Sequence, residues 1–389
     1  MKIICISHWR FPAEKTMTPY MMRVAESFAK EGAVVEFWVP RRLNPGFAGV
    51  DPFGYHAIEK NFRIRRLPVI DLMGVIPGSI SFFIMLLSFT AGLFLYVLKE
   101  PDKKNTIFYF FDLRDAWTTL FLSKNVFSEI HMYYKSSVDF INRWGFSHMR
   151  GLIIPTKAMM EPVRSGYQIS SQKMIHAPCA VNSERFAIDI SKEEARTTLG
   201  LPAEGCLILY VGHLFPVKGV DILFDAHTML ASGETIYFVG GTDEDIGRFK
   251  IKWENAGKPE RVVIAGRRPH QEIPLWLRAA DILSIPNTAQ EDAGSIESSP
   301  SKQMEYMASG RPIIASDVPG IRDVMDDSMA YFVQPDSAEA IAQAVREIVA
   351  NPAEAQAKGQ KARTAAARDL SWDARAQKII RFIKERMSV

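Results

Sequence analysis

Short apolar runs, each stopping at a glycine, proline or polar turn and followed by an amphipathic helix, recur in two separate stretches of this chain. That alternation leaves few folds open. The first run is Lys2–Ser7, apolar and of strand length. His8–Pro19 follows with Pro12 and Pro19 and reads as a loop. Tyr20–Glu31 then places Met21, Val24, Ala25, Phe28 and Ala29 at the spacing of one helix face. Gly32 is a C-terminal stop, Val34–Val39 is the next strand, and Pro40 ends it. A strand, a crossover helix and a strand in that order make a parallel sheet.

The second stretch repeats the grammar. Cys206–Val211, Thr235–Val239, Val262–Ala265, Ile282–Ile285 and Pro312–Ser316 read as strands. Gly219–Ser232, Ile273–Ala280, Ser301–Ser309 and Ala338–Asn351 read as helices, with a long helical tail from Pro352. Pro178–Pro202 is less regular. At 389 residues the chain exceeds the size at which one core stops growing. The expected fold is therefore α/β, two Rossmann-like doubly wound domains facing across a cleft. Their expected limits are 1–185 and 186–370, with 371–389 a C-terminal helix returning to the first domain.

Composition narrows the class. Apolar residues make up 47% and charged residues 23%, ordinary for a globular protein, and the formal net charge is only +3. A nucleic-acid partner is not expected from that balance. Cys5, Cys179 and Cys206 fit no metal-ligand spacing and read as buried free thiols of a reducing compartment. The apolar start is too short for a signal peptide. Residues 72–98 contain no charge and are long enough to span a bilayer. Yet Arg63, Arg65 and Arg66 precede the segment and Lys99, Lys103 and Lys104 follow it, so no charge asymmetry orients a span. A span would also separate Met1–Ser7 from Ile107–Phe111, two strands of one sheet. The expectation is a helix partly buried in its domain and partly dipped into a membrane surface.

Two segments carry chemistry. In Glu297–Pro312 a loop rich in Ser and Pro enters a helix. Pro300 suits the first turn, where an N–H would be free anyway. The amides of Ser301, Lys302 and Gln303 then face outward at the positive end of the helix dipole, an anion site that a diphosphate fits. Glu305, about one turn in, can accept hydrogen bonds from vicinal hydroxyls, as on a ribose. Ordinary capping by Ser299 with solvated glutamates is the alternative. In Val211–Val220 a strand runs through a loop into a helix, and Lys218 sits where its ammonium can reach a bound phosphate. A solvated lysine is the alternative, though its place opposes the helix dipole.

Taken together these stretches resemble the retaining glycosyltransferases of the large family 4 group, which have the GT-B fold. Glu297 and Glu305 match the E-x7-E motif, and Met304–Pro312 with Ile313–Gly320 resembles the helix, turn and strand that follow it. Gly212–Gly219 resembles the family's GRLxxxKG segment. Phe238-Val239-Gly240-Gly241, Ala280–Leu283 and Ser371-Trp372 match further motifs in order. The resemblance implies that Glu305 binds the donor ribose and Glu297 faces the transferred sugar. Lys218, with amides near Ser301 and Lys302, would hold the diphosphate. Ser299 belongs to the same donor loop, and Gly240, Gly266 and Arg267 would lie near the nucleotide. His131 resembles the histidine at the reaction centre, with a core histidine as the alternative.

Two residues depart from the pattern. His213 replaces an arginine beside the phosphates, so the clamp must rely on Lys218 and on Arg267 or Arg268. Ser7–Pro12 replaces a glycine-rich turn after the first strand, which leaves the acceptor side undefined.

The implied function is transfer of a sugar from a UDP- or GDP-sugar to a lipid-linked or polysaccharide acceptor, with retention. No cofactor and no metal are expected, and Asp243-Glu244-Asp245 reads as a polar turn. Fixed positive charge would stabilise the diphosphate as it leaves. Glu297 as nucleophile stays open beside front-face attack. The expected place is cytoplasmic, peripheral on the inner face of the plasma membrane, with an anionic surface as partner. A nucleotide-sugar epimerase of the same architecture and a non-catalytic membrane scaffold are the alternatives. A nicotinamide dehydrogenase would need G-x-G-x-x-G after a first strand, and neither half has it.

Overall fold

The computed structural model describes residues 1–13, 17–131, 139–290 and 301–388, without the side chains of 139 and 301. The chain divides into two units, Met1–Ala177 with Trp372–Val389, and Pro178–Ser371.

The sheet of the first unit holds β1 (Lys2–Ile6), β2 (Val34–Pro40), β3 (Arg63–Leu67), β4 (Thr106–Phe110), β5 (Val126–Glu129), β6 (Gly151–Ile154) and β7 (Met174–His176). Their order is β3-β2-β1-β4-β5-β6-β7. Each neighbouring pair is parallel. Ile3, Ile4, Cys5 and Ile6 are all fully buried, as a central parallel strand covered on both faces requires. The helix Met17–Lys30 buries Met21, Met22, Val24, Ala25 and Phe28 against this sheet's core. It starts inside the segment that reads as a loop in sequence.

The apolar segment forms one helix, Gly78–Lys99, of 22 residues. By length and composition it could cross a membrane, with a mean hydropathy of 2.2 over its most apolar window. One face is packed on the unit: Ser81, Met85, Phe89, Leu93 and Val97, at every fourth position, are buried. Phe82 meets the His8 ring edge-on and Tyr96 meets Trp38. The opposite face leaves Ile80, Phe83, Leu87, Leu95 and Leu98 exposed.

The second unit holds β8 (Cys206–Val211), β9 (Glu234–Val239), β10 (Val262–Gly266), β11 (Ile282–Ile285), β12 (Ile313–Ser316) and β13 (Tyr331–Val333), in the order β10-β9-β8-β11-β12-β13. These pairs are parallel too. Both units are therefore Rossmann-like α/β sheets.

Three expectations need correction. The boundary falls after Ala177 rather than 185, because residues beyond it belong to the second unit's packing. Val181 and Phe186 enter its core, and the Val181 amide donates to Leu370 O at 2.8 Å. Asp243-Glu244-Asp245 is no turn. It opens the helix Asp243–Asn255, capped reciprocally by Thr242 and Asp245, and acids suit that positive end. The stretch read as one helix over Gly219–Ser232 is a short helix, Val220–Asp225, followed by a 3-10 turn, Ala226–Met229. The final helix, Trp372–Met387, packs Ala376, Ile379, Ile380, Phe382 and Ile383 into the first unit's core.

Candidate functional site

In the second sheet the chain steps from β8 to β9 and β10 on one side, and from β11 to β12 and β13 on the other. Loops leaving the C-terminal ends of β8 and β11 diverge there, and open α/β sheets bind ligands in that crevice. The β8 loop is Gly212–Gly219. The segment after β11 leads to the helix Ser301–Ser309.

Glycine holds the β8 loop in place. Gly219 has φ +67°, and a Cβ on it would sit 1.7 Å from the Pro286 carbonyl oxygen at the end of β11. Gly240, at the end of β9, has φ +116°, and a Cβ there would sit 2.4 Å from Gly212 O. Both backbones approach too closely for any side chain. Gly219→Ala is expected to destabilise the second unit by about 2–4 kcal/mol, through strain and displacement of the loop. Urea unfolding measures it.

The loop is tied down elsewhere by side chains. Tyr210 Oη donates to His213 O at 2.6 Å, and Arg248 donates to Leu214 O. The Val211 amide donates to Tyr306 Oη at 2.7 Å, which links β8 to the Ser301–Ser309 helix.

Lys218 and Lys302 come together at this point. Lys302 is only 8% exposed, and its Nζ lies 4.0 Å from the centre of the Tyr210 ring. It is 3.6 Å from where a Cβ on Gly212 would be. Its ammonium is buried without a hydrogen-bond partner among the described residues. Burial, and then the neighbouring Lys218, push its pKa well below the usual lysine range, against a smaller pull from Glu305. Burial lowers Lys218 as well. Two ammonium groups held close, with no carboxylate on either among the described residues, are costly, and an anion between them removes the cost.

Glu305 lies one turn along the same helix. Burial pushes its carboxyl up to about 7, against the pull of Arg185 and then Lys302. Arg185 comes from the short helix Ser183–Phe186 and also donates to His270 O at 2.9 Å. Sequence reading gave no role to Arg185 or to the Lys302 side chain. The lone signal for Lys302 was a lysine in the first turn of a helix, against the dipole.

Other expected residues are placed as follows. His213 is exposed, stacks on Phe215 with centroids 4.9 Å apart, and has Nδ1 3.6 Å from Asp245. Gly266 ends β10 and accepts the Gly240 amide at 2.8 Å. Arg267 is exposed and makes no ion pair among the described residues. Arg268 lies over Trp276. The cation beside Lys218 is therefore Lys302, not Arg267 or Arg268. Ser301 begins the helix; Glu297 and Ser299 lie outside the described residues.

His131 belongs to the first unit, where its Nε2 is 2.8 Å from Glu129 Oε2. Glu129 is buried and also accepts from Tyr20 Oη at 2.6 Å, Tyr109 Oη at 2.5 Å and Arg375 at 2.9 Å. Burial alone would raise its carboxyl, but Arg375, then His131 and Tyr109, hold it far below the usual range. His131 thus lies beside the buried Glu129 carboxylate, which Arg375 ties to the last helix.

Comparison with known proteins bears on the fold and on the second unit's family. Residues 191–365 match the family described as Glycosyl transferases group 1. A D-inositol 3-phosphate glycosyltransferase of Jonesia denitrificans is 27% identical over 38% of this chain and 35% of its own length. The 2-deoxystreptamine glucosyltransferase of Streptomyces kanamyceticus is 24% identical over 56% of this chain and 55% of its own. The aligned parts cover less than two thirds of these relatives. Among solved structures, sucrose-phosphate synthase of Thermosynechococcus elongatus superposes with a TM-score of 0.80 at 20% identity, covering 100% of this chain and 99% of that one. Anabaena HepE in complex with UDP-glucose gives 0.73 at 14% identity, covering 99% and 100%. These likenesses identify the fold as GT-B.

Proposed function

We propose that this chain, whose residues 191–365 match the family described as Glycosyl transferases group 1, moves a sugar from a nucleoside diphosphate sugar to a hydroxyl acceptor. The observation that carries this reading is the pair Lys218 and Lys302, with no counter-ion among the described residues, at the switch point of the second sheet. The diphosphate lies between the two ammonium groups and the first amides of the Ser301–Ser309 helix. Glu305 receives the ribose hydroxyls. As the bond from sugar to phosphate breaks, negative charge grows on the diphosphate where these fixed positive groups already stand. They do the work of a divalent metal. The acceptor attacks from the face the diphosphate leaves, the departing phosphate takes its proton, and the anomeric configuration is retained.

UDP or GDP is the donor nucleotide. The UDP and UDP-glucose complexes of the similar Anabaena protein support the first. A thermal-shift series tests the reading. UDP or GDP, and one of their sugars, are expected to raise the melting temperature by several degrees at 100 times Kd, about 2.7 kcal/mol of added stability. Uridine or guanosine without phosphates should not. If no nucleoside diphosphate acts at millimolar concentration, the assignment fails.

The exposed stripe of the Gly78–Lys99 helix supports a membrane-held acceptor and a peripheral place on the cytoplasmic face. Ile80, Phe83, Leu87, Leu95 and Leu98 present an apolar surface, and Lys99, Lys103 and Lys104 follow it. Apolar insertion and attraction to anionic headgroups act together there. The protein is expected to co-sediment with phosphatidylglycerol-rich vesicles at low salt. The double change Phe83→Asp and Leu87→Asp should weaken this at least tenfold while leaving nucleotide binding intact. Equal sedimentation of both proteins would rule the surface out.

A further inference from the structure

The second unit has a cavity at the edge of its sheet away from the donor loops. It measures about 350 Å³, within the range of small-molecule sites. Cys206 and Ile282, the first residues of β8 and β11, line it, and so does Pro312, which precedes β12. These are N-terminal strand ends. The segments that carry Lys218 and Lys302 leave the C-terminal ends of β8 and β11, so the two places lie on opposite edges of one sheet.

The lining joins apolar and charged groups. Ile348 and Val349 come from the end of the helix Ala338–Ala350, and Pro352 and Ala355 from the start of the helix Pro352–Asp369. Lys192, Asp281 and Arg311 supply the charge. Asp281 is fully engaged. Its Oδ1 accepts from Lys192 Nζ at 2.8 Å, and its Oδ2 accepts from Arg196 and from the Leu207 amide at 2.8 Å. Arg311 therefore has no carboxylate partner among the described residues. It donates to Arg278 O, and its Nε is buried without a hydrogen-bond partner among them. Burial, then the neighbouring Arg278, bring the guanidinium down to about 10, against weaker pulls from Asp281 and Glu193. A cation held this way is stabilised by an anion that enters beside it.

We propose that this cavity binds a small phosphate ester with an apolar body, the phosphate held by Arg311 and Lys192 and the body lying against Val349 and Ala355. Lys192, Arg196 and Arg311 share the single carboxylate of Asp281, so a doubly charged phosphate balances them where a singly charged carboxylate ligand would not. Arg278 and Glu193, the other charges acting on Arg311, have opposite signs. The site is separate from the donor site and does not depend on the transferase reading. Arg311 follows Gly310, whose amide closes on Met307 O at 3.1 Å, so an occupant touches the turn at the far end of the helix that carries Lys302 and Glu305.

Calorimetric titration with phenyl phosphate at pH 8 tests this. The full chain carries Lys302→Met, so that the donor site does not take up the probe, and wild type with saturating UDP serves as a repeat. One equivalent of phenyl phosphate is expected to bind in both, more tightly than inorganic phosphate, and phenol should not bind measurably. Arg311→Gln should weaken binding by about tenfold or more, the worth of one charge-assisted hydrogen bond. Val349→Trp fills the cavity from an exposed position, so it should fold even where Arg311→Gln does not, and it should abolish binding. No binding to the Lys302→Met chain at millimolar concentration, an affinity unchanged by Arg311→Gln or by Val349→Trp, or phenol binding as well as phenyl phosphate overturns the proposal.

Discussion

Replacing Lys302 with methionine is expected to make the protein more stable and unable to bind a nucleoside diphosphate. Among the described residues the Lys302 ammonium is buried without a hydrogen-bond partner and lies near a second lysine. An uncompensated buried charge costs the fold several kcal/mol in principle, and an apolar side chain of similar length removes that cost. A gain of about 1–3 kcal/mol follows, a rise of several degrees for a unit of this size. The sign with pH is fixed. The folded pKa of Lys302 lies below its unfolded value, so the penalty is complete below the folded pKa. It fades only as pH climbs towards the unfolded value of about 10.4. The advantage of Lys302→Met should therefore shrink in alkali. Binding of UDP or GDP should fall at least a hundredfold, because charge-assisted contacts to phosphate are lost. A variant that melts below wild type, with nucleotide binding intact, would make Lys302 a structural residue.

Glu305→Gln should show a second trade of stability against binding, with the opposite pH signature. Burial raises this carboxyl to about 7. Its unfolded value is about 4.3. Below that value the carboxyl is neutral in both states and no penalty exists. Stability is then lost as pH rises from about 4.3 to about 7, where the unfolded chain is ionised and the folded carboxyl is not, and the loss is complete above about 7. Glutamine should thus change little at pH 4.5 and stabilise by about 2–3 kcal/mol at pH 8. Nucleotide binding should weaken by about 10- to 100-fold, the value of hydrogen bonds to a charged acceptor. A 2′,3′-dideoxynucleoside diphosphate lacks the hydroxyls, so wild type and Glu305→Gln should bind it about equally. Equal losses for both nucleotides would show that Glu305 does not meet the ribose.

Both predictions concern residues that sequence marked for different reasons. Glu305 was singled out in sequence as a carboxylate one turn into a helix behind an anion-binding start, with a solvated glutamate as the alternative, and the structure buries it. The Lys302 side chain was not. A lysine in the first turn reads as solvated, and only the packing of Tyr210 beneath it shows the ammonium drawn inward. His131 shows the reverse. Its motif pointed to the reaction centre, while its immediate partner is the buried Glu129 cluster. His8 stood out in sequence only as a departure from a glycine-rich turn. Its Nδ1 lies 2.8 Å from Asp115, 107 positions away, and the fold alone makes the pair.

Local sequence determined the elements that periodicity can carry. The central strands are apolar throughout because both of their faces are covered, and their limits in the second unit agree with the pattern within a residue or so. β3, with the sequence RIRRL, carries no such signal: it lies at the sheet edge, where charged side chains can stay in water. Glycine at 219 is by contrast a demand of the folded chain, since a Cβ there would sit 1.7 Å from the Pro286 carbonyl oxygen. What only tertiary structure decided is the company each polar group keeps. Burial and the approach of distant charges set the state of Lys302, Glu305, Glu129 and His8. Those quantities depend on which strand ends lie side by side, and strand order is a property of the folded sheet.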